Sequence, residues 1–216
     1  MIIAAPIVER MALDEGSWID VVRGFMPVAD ADALCAELLV SASWVQGQVF
    51  RYEKYVPEPR LGAMQRGAGR HPALVEAQDW IQRRYRVMFD GLALARYRNE
   101  RDSVGWHRDR QLKWLDDTVI GVLTLGQQRP FVVKPNSGRG QRDNSDDSYA
   151  GATDLSPASG DLLVMGGRCQ RDWLHAVPKS TQAMRDRVSV QWRWTSKRGR
   201  PDTAPSFYDR REFGRR

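Results

Sequence analysis

From Leu92 onward this 216-residue chain is cut into short runs of β-branched, aromatic and aliphatic residues. Leu92–Tyr97, Thr118–Leu125, Phe131–Lys134, Asp161–Met165 and Arg187–Trp194 are each bounded by Gly, Pro or polar turns. That punctuation leaves no room for long helices, so the second half must bury its core between layers of strands. Ahead of Leu92 the spacing changes. Trp18–Phe25 alternates and reads as a strand closed by Met26-Pro27. Asp30 reads as the N-cap of a helix over Ala31–Ser41, where apolar residues recur at helical intervals. Gln48–Tyr55 reads as one strand of a hairpin, broken by Pro57 and Pro59. His71-Pro72 opens a second helix that runs to about Met88, with Pro72 suited to the first turn. The expected fold is α+β: two N-terminal helices, then a sandwich or jelly roll of short strands.

A hydrophobic fraction of 42% against 28% charged residues is ordinary for a globular chain, and the length suits one domain with a continuous core. No apolar run reaches the length of a membrane span. The opening Met1-Ile-Ile-Ala-Ala-Pro-Ile is followed by Glu9 and Arg10 and lacks the basic leader of a signal peptide, so a cytoplasmic protein is expected. Cys35 and Cys169 have no metal-ligand spacing, and no disulfide framework is expected. The net charge of +6 favours polyanions such as nucleic acid. Part of that excess lies between Ser196 and Arg216, which reads as a solvated basic tail. Residues 135–159 are polar and turn-rich and read as a flexible inserted loop.

His107 and Asp109 form an H-x-D pair, and His175 follows Asp109 by 66 residues. Two imidazoles and one carboxylate can occupy one face of an octahedral iron and leave three positions open. On an extended segment His107 and Asp109 project to the same side. The same period organises the last strand. Arg187, Ser189, Gln191 and Arg193 share one face, and Val188, Val190, Trp192 and Trp194 share the other. On a surface strand the polar face would meet water. On a pocket wall its two guanidiniums would bind a dicarboxylate through bidentate hydrogen bonds. Iron(II) needs electrons to activate O2, and a 2-oxo acid anchored by arginine supplies them. The triad and the arginine strand therefore explain one another.

Residues 94–134 and 160–194 resemble the AlkB family of Fe(II)/2-oxoglutarate dioxygenases, which remove alkyl groups from nucleic acid bases. The resemblance is carried by R-Y-R-N-E-R-D-S-V-G-W-H-R-D, the later T-L-G, G-D-L-L-V-M, W-L-H-A-V-P-K and R-x5-R, in that order. A looser match, Val56-Pro-Glu-Pro-Arg-Leu61, lies where the family carries its substrate-covering hairpins. The resemblance implies one domain over residues 1–195. Residues 18–91 would supply helices and a lid region, residues 92–195 a double-stranded β-helix core, and residues 196–216 the tail. It implies that His107, Asp109 and His175 hold Fe(II). Arg187 would pair with the distal carboxylate of 2-oxoglutarate, with Tyr97 donating to the cosubstrate. Arg193 would stand near its 1-carboxylate and Asp109. With O2 the products would be succinate, CO2 and an aldehyde.

The chain departs from the family in its pockets. Ala95 and Ser189 stand where the family often has asparagine, and Ser189 retains one donor for the cosubstrate. Gln111 replaces an acidic residue suited to reading a base amine, and Met64-Gln65 replaces an aromatic pair. Base stacking contributes roughly 1–3 kcal/mol in single-strand binders, of which Met64 would recover only part. The substrate-contact candidates are Arg60, Met64, Tyr52, Tyr55, Trp106 and Gln111. The expected partner is DNA or RNA, with no membrane, and the expected state is a monomer. Two further readings stand beside this one: a hydroxylase or demethylase of a protein or small molecule, and a non-catalytic nucleic acid binder.

Overall fold

The computed structural model describes residues 2–51, 53–65, 70–136 and 149–203. In chain order the elements begin with β1 (Glu9–Ala12), β2 (Ser17–Val22), α1 (Val28–Ser41), β3 (Val45–Arg51), β4 (Lys54–Gln65) and α2 (Pro72–Tyr85). Then come β5 (Leu92–Tyr97), β6 (Val104–His107), a 3-10 turn at Arg110–Leu112, β7 (Thr118–Gly126), β8 (Val132–Pro135) and β9 (Thr153–Asp154). The chain closes with β10 (Leu162–Gly167), the short α3 (Cys169–Asp172), β11 (Trp173–Val177) and β12 (Arg187–Thr195). Two antiparallel sheets result. The larger has eight strands in the order β1-β2-β10-β7-β12-β5-β4-β3, and the smaller has four in the order β6-β11-β8-β9.

The side-chain period of two decides what each face of the large sheet does. Val119, Leu123 and Leu125 of β7, Leu162 and Val164 of β10, and Val188, Val190 and Trp192 of β12 pack against the helices. Ile120 and Val122, Leu163 and Met165, and Ala95 and Tyr97 of β5 face the small sheet instead. Burial of each such aliphatic side chain contributes roughly 1.5–3 kcal/mol. α1 docks through Ala31, Leu34, Cys35 and Leu38, and α2 through Leu74, Ala77, Gln78 and Ile81. The one amide in that set, Gln78, accepts from the buried Trp192 Nε1 at 3.1 Å.

The layered jelly-roll core agrees with expectation, and several boundaries differ from it. Asp30 is not the cap of α1. The helix starts at Val28 behind Pro27, with no side-chain cap, and Asp30 sits in its first turn. α2 stops at Tyr85 rather than Met88, because Arg86 takes a left-handed conformation (φ 55°) and its N–H closes onto the Gln82 carbonyl. His71 caps that helix, its Nδ1 accepting from Ala73 N at 3.2 Å. Pro57 and Pro59 do not break the hairpin. β4 runs through both, since its pairing with β5 begins only at Leu61 and the missing N–H groups fall where one edge is open.

The sheet core is not confined to residues 92–195, because β2 pairs with β10 inside the large sheet. The segment expected as a flexible loop supplies β9, which pairs with β8, and the buried Leu155; residues 137–148 lie outside the described residues. The start of the basic tail folds back, with Asp202 N donating to Lys113 O at 2.7 Å; residues 204–216 lie outside the described residues. Among the described residues no helix is long and apolar enough to cross a membrane.

Candidate active site

β6 and β11 pair with His107 directly opposite His175, which places the two rings 4.2 Å apart between centroids. A register shift between His175 and Val177 interrupts the alternation, so that both Val104 and His107 reach the same cleft. Asp109 follows β6 by two residues. One ligand atom from each of His107, Asp109 and His175 lies within 4.8 Å of the others.

The surroundings prepare all three as electron-pair donors. His107 Nδ1 lies 2.9 Å from Gly105 O; donating there leaves the Nε2 lone pair facing Asp109 Oδ1 at 3.8 Å. Burial pushes the His107 imidazole below its ordinary value and takes His175 down to about 3, aided there by repulsion from His107, so both rings are neutral at physiological pH. For Asp109 burial opposes ionisation, but the Arg193 guanidinium and the two imidazoles outweigh it and hold the carboxyl well below the usual carboxylate range. Neutral imidazole and ionised carboxylate are the forms that bind a metal. Arg193 Nε donates to Asp109 Oδ2 at 2.7 Å, and Arg193 Nη2 donates to Gln191 Oε1. The buried Gln170 of α3 accepts from Asp109 N at 2.8 Å. The ligand carboxylate is therefore held from both its side chain and its backbone.

The triad opens into a narrow cleft between the two sheets. Arg60, Tyr97, Ser189, Gln191 and Arg193 supply its polar wall, and Ile120, Val122, Phe131 and Met165 its apolar wall. On the same inward face of β12 as Ser189, Arg187 is fully buried and stands opposite Tyr97 in register. Its Nη2 donates to Thr124 Oγ1 at 3.1 Å, while Nε and Nη1 are buried and find no partner among the described residues. Burial lowers this guanidinium from 12.5 to about 10, so it stays charged at neutral pH. An unmatched buried cation is destabilising by several kcal/mol, and a carboxylate is the group that would match it bidentately. The residues present therefore fit both implied groups: the triad fits a divalent iron, and Arg187 fits one end of a dicarboxylate.

His107, Asp109, His175, Tyr97, Ser189, Arg193 and Arg60 line the same cleft, and Arg187 is buried behind Tyr97 rather than lining it. Met64 is 62% exposed and lines an adjoining cavity with Asp90, walled from the cleft by Gln191 and Arg193. The other candidates stand apart. Tyr55 is exposed against Phe50 on the hairpin. Trp106 packs with Tyr149 and Lys134 rather than lining the cleft. Gln111 is exposed on the 3-10 turn. Tyr52 lies outside the described residues.

Three contributors escaped the sequence reading. Thr124 interrupts the apolar run of β7, a signal that was present, whereas Gln170 lies in the polar stretch Arg168–Asp172 and gave none. Arg129 is 99% buried from solvent in effect, at 1% exposure, and donates to the carbonyls of Asn99, Asp102 and Pro178. Its guanidinium lies 5.3 Å from the Tyr97 ring, and that of Arg187 lies 5.4 Å from it.

Comparison with known proteins agrees with this geometry. Residues 72–200 match the 2OG-Fe(II) oxygenase superfamily, a span that contains the triad and both β12 arginines. The human "Alpha-ketoglutarate-dependent dioxygenase alkB homolog 3" is 29% identical over 193 residues, covering 82% of this chain and 67% of that protein. The cattle counterpart is 28% identical, covering 79% of this chain and 63% of its own length. "DNA oxidative demethylase ALKBH2" of Arabidopsis thaliana is 32% identical over 138 residues, covering 56% and 43%. The chain thus spans about two thirds or less of the length of these relatives. Among solved structures, OsALKBH1 superposes with a TM-score of 0.54 at 14% identity, covering 87% of this chain and all of that one. A prolyl hydroxylase from Trichoplax adhaerens gives 0.57 at 12% identity, covering 82% and 83%. Both share the fold. The chain belongs to the 2OG-Fe(II) oxygenase superfamily and is similar in sequence to alkB homolog 3 and ALKBH2.

Proposed function

We propose that the protein removes alkyl groups oxidatively from N-alkylated bases of DNA or RNA. One observation carries the reading: β12 brings Ser189 and Arg193 into the cleft of the His107–Asp109–His175 triad and holds the unpartnered donors of Arg187 two residues from Ser189, in register with the cleft-lining Tyr97, in a chain related to a DNA oxidative demethylase. The net charge of +6 supports a polyanionic partner. The free thiols of Cys35 and Cys169 accord with a cytoplasmic enzyme.

When bound, Fe(II) with 2-oxoglutarate and O2 supplies the oxidising power that places one oxygen on the N-alkyl carbon and the other in succinate, with loss of CO2. The chain's own residues do the rest. Arg187 takes the distal carboxylate, Tyr97 and Ser189 orient the cosubstrate, and Arg193 fixes the Asp109 rotamer. Ile120, Val122, Phe131 and Met165 keep water from the reacting centre. The hydroxyalkyl product then breaks its C–N bond. The hydroxyl proton leaves, the ring nitrogen keeps the bonding electrons and gains a proton, and the aldehyde departs.

A second reading keeps this chemistry on a protein side chain or small molecule. Gln111 outside the cleft and Met64 in place of an aromatic favour it. Incubation with Fe(II), 2-oxoglutarate and N-methylated oligonucleotides separates the two. Equal amounts of formaldehyde and succinate support the first; succinate without formaldehyde moves the substrate to the second. No succinate under any condition would leave only nucleic acid binding.

A further inference from the structure

β4 is tied to the large sheet from Leu61, opposite Arg96, to Gln65, opposite Leu92. The preceding residues pair with β3 instead, from Gln48 opposite Pro57 toward the hairpin tip. Arg60 stands at that boundary, and the register carried one step further puts it across from Tyr97. Its Nη1 donates to the Tyr97 hydroxyl at 3.2 Å. Its Nε lies 3.9 Å from the Glu58 carboxylate, on the same face of β4, and both side chains are largely buried. Beside it, Pro59 O accepts from Ser103 N at 2.7 Å. Among the described residues, Glu58, Arg60 and Tyr97 form one chain of contacts from the hairpin to the cleft. Tyr97 is 1% exposed and in register with Arg187, so its hydroxyl cannot shift without disturbing the anion site.

We infer that Arg60 is a positioning residue that couples the β3–β4 hairpin to cosubstrate binding through the Tyr97 hydroxyl. A dicarboxylate on Arg187 fixes Tyr97, Tyr97 fixes Arg60, and Arg60 fixes the part of the hairpin next to it. By linkage the coupling is reciprocal: a ligand that orders the hairpin tightens the cosubstrate. The inference rests on 2-oxoglutarate binding at Arg187. It does not rest on which molecule is demethylated.

The test uses the full chain with Mn(II) and N-oxalylglycine, an unreactive isostere of 2-oxoglutarate. Binding is followed by calorimetry, and backbone amide exchange is followed at residues 45–51 and 54–58. In the wild type the analogue slows exchange across the hairpin. Arg60→Met and Tyr97→Phe each weaken the analogue about five- to tenfold, the size of one ordinary hydrogen bond, and each abolishes the hairpin protection. The double variant is no weaker than the poorer single variant, and Arg60→Lys recovers part of the loss. Should Arg60→Met fail to fold, Tyr97→Phe alone must remove the protection. The inference is overturned if the wild-type hairpin exchanges equally with and without analogue. It is also overturned if the two losses are additive, or if the wild type binds no analogue. Because no nucleic acid is present, the result is independent of the proposed substrate.

Discussion

Arg193 of β12 donates to Asp109 at 2.7 Å, joining two residues 84 positions apart into one unit. The guanidinium fixes the rotamer of a metal ligand and stabilises its ionised form. Such a partner typically changes metal affinity 10–100-fold. Arg193→Met should therefore weaken Mn(II) binding by about one to two orders of magnitude. The far-ultraviolet circular dichroism should not change. Metal affinity within twofold of wild type would show that Asp109 is held without it.

Arg187 makes the opposite trade. Among the described residues its buried charge lacks a match, so Arg187→Met should raise stability while removing the proposed cosubstrate contact. A gain of about 1–2 kcal/mol corresponds to a Tm rise of roughly 2–8 °C for a chain of this size. N-oxalylglycine, which should raise the wild-type Tm further, should leave that of the variant unmoved. A lower Tm for Arg187→Met would mean that its donors are satisfied in the folded chain.

The sequence made some of this visible and concealed the rest for identifiable reasons. Arg187 to Trp194 alternates without interruption, so both the arginine wall and the Trp192 core face could be read directly. β6 and β11 could not, because they are four and five residues long and a bulge between them breaks the period. Pro57 and Pro59 misled because a proline stops a strand only where both edges are bonded. Arg129 left no trace, since its partners are carbonyls brought to it by loops 27 to 49 residues away. Trp106 sits next to a ligand in sequence, yet its ring packs with Lys134 and Tyr149.

Asp102 gives a pH signature remote from the metal site. Burial disfavours its charge, but hydrogen bonds from the Arg98 side chain and backbone, with Arg129 nearby, outweigh this and lower its pKa. A depressed carboxylate adds stability above its unfolded value of about 3.9 and loses it as pH falls through the lower folded value. Urea midpoints should therefore fall more steeply on acidification for the wild type than for Asp102→Asn. Parallel curves would contradict this assignment.

Gly160, in the G-D-L-L-V-M segment, has φ of +90°, and a Cβ there would lie 2.1 Å from Met26 O. Gly160→Ala should cost about 1–3 kcal/mol from strain and overpacking, seen as a lower urea midpoint. An unchanged midpoint would mean that the Met26 turn yields freely.

In the function proposed for this chain, the triad and Arg187 form one site for Fe(II) and 2-oxoglutarate. Anaerobic titration of the chain with Fe(II) and 2-oxoglutarate tests it most directly, through the weak visible charge-transfer band of a 2-oxo acid chelated to iron. The band should form in the wild type, be lost in His107→Ala, and appear in Arg187→Met only at far higher 2-oxoglutarate. A wild type without the band, or a His107→Ala variant that retains it, would contradict the account.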